Sequence, residues 1–137
     1  EPLTWELWQR ALAQNTLEFQ GALMRLESVA RMIVTFLGQY DMLLSPALAQ
    51  LPVPIGEING LGEDPFDSFR RSGHFTPYTA IFNVTGQPAI SLPLYQSDDG
   101  LPLAIQLAGR PAREDQLLAL ATQLEQALPW QQRCAEL

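Results

Sequence analysis

Two runs, Pro88 to Leu94 and Leu101 to Leu107, are apolar almost without interruption and flank Ser97-Asp98-Asp99-Gly100. Asp-Gly at the end of a short polar stretch marks a hairpin loop, so the runs are expected to pair as antiparallel strands. Strands that do not alternate between apolar and polar residues are expected to be covered on both faces. Tyr40 to Pro46 reads as a third short buried strand ended by proline, and Pro52 and Pro54 hold the following chain extended. Three strands make a small sheet, and two-sided cover belongs to larger ones, so further strands are expected outside this chain.

The remaining pattern is helical. From Trp5 the residues Trp8, Leu12, Phe19, Leu23, Leu26, Ala30, Ile33 and Leu37 recur at spacings of three and four or their sum, which traces one face of a helix. Pro2 and Thr4 are expected to start it, with Thr4 as the cap and Glu6 at the positive end of the dipole; Gly38 stops it. A helix of that span is about 50 Å long, and a break is expected near Asn15–Thr16 or Gly21. Such a stripe needs a broad surface to cover it. Gly56 to Gly73 reads as an acidic surface loop with a helical turn at Pro65–Arg71, and Thr76-Pro77 is expected to open a short helix that ends before Gly86. Arg113 to Leu128, with leucines at 117, 118, 120, 124 and 128, forms an amphipathic helix closed by Pro129. The order helix, strand, helix, hairpin, helix indicates a mixed sheet covered on both sides, hence an α/β or α+β class.

Composition narrows the partners. The 137 residues carry a formal net charge of −7, which opposes the phosphate backbone of nucleic acid. Every one of the eight basic residues is Arg; the chain has no lysine. No apolar run approaches the roughly 20 residues that cross a bilayer. Cys134 is the single cysteine, which allows no intrachain disulfide and fits a reducing, cytoplasmic setting with an incidental thiol. The chain opens at Glu1, without methionine and directly into helical pattern, and is expected to be a fragment in one domain.

Phe75 to Pro93, with Asn83-Val84-Thr85-Gly86-Gln87-Pro88-Ala89-Ile90-Ser91 at its centre, resembles the late signature of the amidase-signature hydrolases, as does Asp99 to Arg110. Asp41 to Pro46 and the last helix fall in the order that family shows. The resemblance implies the C-terminal part of a mixed-sheet fold that hydrolyses carboxylic amides through a Ser–cis-Ser–Lys triad, in which lysine starts the proton relay. That triad lies in a glycine- and serine-rich segment upstream in the family. With no lysine, no Gly-Gly pair and no Ser-Ser pair, this chain has no triad residue. It is expected to be inactive alone, to contribute pocket walls and fold stability, and to work with the missing N-terminal part of the same enzyme. The implied substrate is a small amide, with linear or cyclic ω-amino-acid amides among the candidates, and no cofactor or metal is implied.

Within the chain, Phe75, Tyr78, Phe82 and Asn83 are expected to cluster on the short helix. Phe75, Tyr78 and Asn83 are the candidate substrate-binding residues, since aromatic faces beside one amide suit an apolar group and orient an amide. Core packing is the competing reading for Phe75 and Phe82. His74, with Asp64 or Asp67, is the one candidate for a Ser–His arrangement, but no serine sits in a nucleophile-elbow motif. Glu57, Glu63, Asp64 and Asp67 lack any metal-loop spacing and read as a solvated acidic loop, while Ser45 and Ser91 are expected to satisfy backbone groups. A non-catalytic binding or assembly module on an amidase-like scaffold is the alternative function. Apolar sheet edges left open by the missing part make self-association an expected property.

Overall fold

The structure is a computed structural model that describes residues 1–130; Cys134 lies outside the described residues. The long helical pattern is two helices, α1 (Pro2–Leu12) and α2 (Thr16–Leu37). Asn15 makes the break between them. Its side chain accepts from the Glu18 backbone N–H at 3.0 Å, while the Glu18 carboxylate accepts from the Asn15 N–H at 3.0 Å. This reciprocal capping satisfies two donors that a helix start otherwise leaves unpaired. Thr4 does not cap α1, contrary to the sequence reading: the helix already begins at Pro2, where the missing N–H costs nothing. Glu6 instead pairs with Arg10 one turn on, at 2.8 Å. Gly38 ends α2, in a right-handed conformation.

The strand after it, β1 (Met42–Pro46), is followed by α3 (Pro65–Phe75), α4 (Ala80–Thr85), β2 (Ala89–Gln96), β3 (Pro102–Gly109) and α5 (Glu114–Ala127). The expected helical turn at Pro65 is thus a full helix of 11 residues capped by Asp64. The short helix opens three residues later than expected. Thr76 closes α3 instead, its backbone N–H and hydroxyl both donating to the Ser72 carbonyl at 2.9 and 3.1 Å. The residue before a proline is disfavoured in helix, so Thr76 and Pro77 belong to a connector and Thr79 takes the cap position. Gly86 ends α4 at φ 69°, left-handed, and sends the chain into β2.

The sheet order is β1-β3-β2, antiparallel throughout. A mixed sheet was expected; the three strands of this chain form only an antiparallel part. The hairpin closes through Ser97, whose N–H donates to the Leu101 carbonyl and whose hydroxyl accepts from the Leu101 N–H, with Gly100 at φ 80°. A bulge interrupts the β2–β3 register between Leu92 and Tyr95, where Pro93 has no N–H to give; a proline is tolerated at such an irregular edge.

The two faces of the sheet differ, which the run of apolar letters concealed. On one, Ile90, Leu92, Ile105 and Leu107 pack with Leu94 against Leu117 and Ala121 of α5, forming the core. The other carries small and polar residues in cross-strand rows: Ser45–Gln106–Ser91 and Leu43–Ala108–Ala89. Cover on both faces, as expected from sequence, is only partial among the described residues: Gln106 and Ala108 of the central strand are buried on this second face, whereas Ala89 and Ser91 beside them on β2 are exposed. The apolar stripe of α1 and α2 is also largely open. These helices lie against α3 and α4, and Leu37 is the one residue of the pair that is buried.

Candidate functional site

The row Ser45–Gln106–Ser91 gives the second sheet face its chemistry. Gln106 is 6% exposed in the central strand, and its side-chain N–H2 donates to the Tyr78 carbonyl at 3.0 Å and to the Ser45 hydroxyl at 3.4 Å. Buried amides are held this way because an unpaired donor costs free energy. The result is a clamp joining β1, β3 and the connector between α3 and α4. Tyr78 itself is 38% exposed, so its backbone is fixed while its ring meets solvent. Ala89 and Ser91, both exposed on β2, leave space over the sheet.

The candidate residues do not gather on one helix as expected. Phe75 is the last residue of α3, half-buried, with its carbonyl accepting from the Ala49 N–H at 3.1 Å. Tyr78 stands in the connector. Phe82 and Asn83 are on α4, with Phe82 buried. Asn83 is exposed and lines an open cavity of about 490 Å3 with Leu23, Leu26 and Ala30 of α2. A more enclosed cavity, about 370 Å3, lies between the start of α1, Ile58 to Leu61 and α3, with none of these candidates in its wall.

Gln106 and Gln87 are the residues that sequence reasoning missed. Gln87, also buried, donates from its side chain to the Gly109 carbonyl at 2.8 Å and so ties the end of β3 to the start of β2. Its own amide oxygen has no hydrogen-bond partner among the described residues. The available signal was a glutamine inside an otherwise apolar strand, and another between the turn glycine and a proline. Gln106→Leu keeps the volume but leaves the Tyr78 carbonyl without its donor; it is expected to lose about 1–3 kcal/mol in urea unfolding. Gln106→Asn, shorter by one methylene, is the matching comparison.

The acidic stretch is paired rather than simply solvated. Arg71 meets Glu57 at 2.8 Å, and Arg70 meets Asp64 at 2.7 Å and Asp67 at 3.4 Å. No group of three His, Cys, Asp or Glu side chains suited to a metal occurs among the described residues. His74 stands exposed in the last turn of α3, not in a loop, and Asp64 is engaged by Arg70 and the Phe66 N–H. Ser45 is held by the Gln106 side chain rather than by a backbone group.

The Arg70 hydrogen bond, with the Phe66 N–H after it, holds the Asp64 carboxyl below the usual carboxylate range. A pKa lowered in the folded state adds stability that is present above the unfolded value of about 3.9 and is lost as pH falls through the folded value. The start of α3 is therefore expected to loosen only below about pH 4. A carboxyl-carbon NMR titration should place the Asp64 midpoint below that of an unfolded-peptide aspartate, and Arg70→Ala should raise it.

No helix of the described residues is long and apolar enough to cross a membrane. Comparison with known proteins assigns the arrangement. Residues 3–118 match the Amidase family. The chain is 42% identical over 121 residues to the putative amidase AmiC of Mycobacterium tuberculosis, covering 88% of this chain and 25% of that protein. It is 41% identical over 103 residues to the 6-aminohexanoate-cyclic-dimer hydrolase of Paenarthrobacter ureafaciens, covering 72% and 21%. A solved structure of 6-aminohexanoate cyclic dimer hydrolase superposes with a TM-score of 0.86 at 35% identity, over 95% of this chain and 28% of that one. The chain thus spans about a quarter of the length of the relatives it matches. The matched stretch takes in the Gly86 turn, the hairpin and the Gln106 row, and on that match the chain belongs to the amidase family.

Proposed function

We propose that the chain forms the non-catalytic part of an amide hydrolase, supplying pocket wall and fold stability while the nucleophile and lysine reside in the remainder of the enzyme. One observation carries this reading: a stretch that aligns with amide hydrolases at about 40% identity contains no lysine. The clamped connector supports it, because a fixed backbone under a solvent-facing tyrosine beside small sheet residues suits a wall for an apolar acyl or amine group. Phe75 and Tyr78 contact that group, and Asn83 orients an amide. The name of the cyclic-dimer hydrolase points to ω-amino-acid amides as a substrate class to test.

On this reading residues 1–137 are one part of a single amidase-like domain working in the cytoplasm. Its partners are a small-molecule amide and the rest of the enzyme, and neither nucleic acid nor membrane takes part. Alone, the chain self-associates through the apolar edges of its sheet. The purified chain is expected to show no turnover of 6-aminohexanoate cyclic dimer or simple aryl amides above buffer. Turnover that survives repurification and disappears in His74→Ala would replace this reading with a histidine-based one.

A further inference from the structure

The stripe that sequence periodicity marks on α1 and α2 is uncovered where it should be driest. Trp8, Leu12, Phe19, Leu23 and Leu26 are all exposed; Phe19 is 56% exposed. The helix α4 meets α2 near Asn83 and Val84 and leaves the N-terminal half of the stripe open. Exposed apolar residues in this number are an interaction surface.

We infer that this face is the docking surface for the remaining three-quarters of an amidase fold, with Phe19 and Leu26 at its centre. The superposition supports that occupant. It covers 95% of this chain, and the uncovered twentieth is too short to hold α1 and α2, so both helices follow the same course in a hydrolase more than three times as long. A course that buries almost nothing within this chain is the course adopted where the other 72% of a polypeptide is present to bury it. A second copy fits less well, because each copy carries a charge of −7 and two would repel; an anionic bilayer is opposed by the same charge. The inference rests on the reading that a longer amidase exists, but binding and activity fail separately. A complex without turnover sinks the catalytic reading alone, and turnover without dependence on the stripe sinks the surface alone.

The test co-expresses this chain, tagged, with the untagged residues of the Paenarthrobacter ureafaciens hydrolase that lie outside the matched segment. A 1:1 complex is expected on sizing columns, dissolving any self-associated form of the chain. Phe19→Glu with Leu26→Glu should weaken capture at least tenfold, whereas Leu17→Glu, at a position 84% exposed on the opposite side of α2, should not. Both positions are open in this chain, so its circular dichroism should be unchanged by either substitution. Equal capture by both variants, no capture of a soluble partner, or a homodimer that the partner leaves intact would overturn the inference. Should the partner portion prove insoluble, the chain is grafted into the whole hydrolase in place of its matched segment. A cysteine at position 19 should then react with a maleimide at least tenfold more slowly than one at 17, and equal rates would overturn the docking surface.

Discussion

Leu107→Ala is expected to remove most of the stability of this chain. Leu107 is 2% exposed at the centre of the middle strand, between Leu44 and Ile90 in register, and belongs to the cluster of Leu92, Leu94, Leu117 and Ala121. Truncating a leucine in such a site loses its transfer free energy and leaves a cavity that the sheet cannot close, about 2–5 kcal/mol together. Small domains hold only about 5–15 kcal/mol in total. This one, with much of its apolar stripe open, belongs at the low end. Urea unfolding followed by circular dichroism measures the effect, with Leu118→Ala on the exposed side of α5 as control, expected within about 0.5 kcal/mol of the parent chain. Equal losses at 107 and 118 would mean that α5 does not cover the sheet.

The second large effect is on catalysis in the whole enzyme. If Tyr78 is wall, truncating it to alanine forfeits contact with an apolar substrate group, about 1–3 kcal/mol of transition-state binding, read as a roughly 10- to 200-fold fall in kcat/KM that depends on the amide. Phe75→Ala is expected to follow the same pattern, more weakly, because Phe75 is half-buried at the end of α3. Phe82→Ala gives the contrast. That ring is buried on α4, so its removal should cost about 3–5 kcal/mol of stability and leave the ranking of substrates unchanged. Kinetics on several amides paired with thermal melts separate the two behaviours. A destabilised Tyr78→Ala enzyme with an unchanged ranking would make Tyr78 a packing residue and not a wall.

Local features were legible in the letters because their causes are local. Asp-Gly in the loop, a glycine needing φ 69° after α4, a proline closing the last helix and a break near Asn15 each act within a few residues, and each lies close to where it was expected. Among the local misreadings, Thr76-Pro77 as a helix start arose because a threonine before proline serves equally well to end the preceding helix, and α3 reaches it first. The candidate site was legible only in part. Tyr78 was named for its ring, yet what positions it is Gln106, 28 residues on, whose amide also reaches Ser45, 61 residues back. That meeting depends on strand register across β1 and β3, which pattern alone does not determine when both strands are apolar except for the one polar residue in each. The apolar stripe, likewise, could be read as needing cover, but whether this chain provides it depends on how far α4 reaches along α2. The sequence by itself determined the elements, their turns and the family. Only the tertiary structure decided which sheet face is core, which residue clamps the connector and which helix face stays open, because those follow from contacts between residues far apart in the chain.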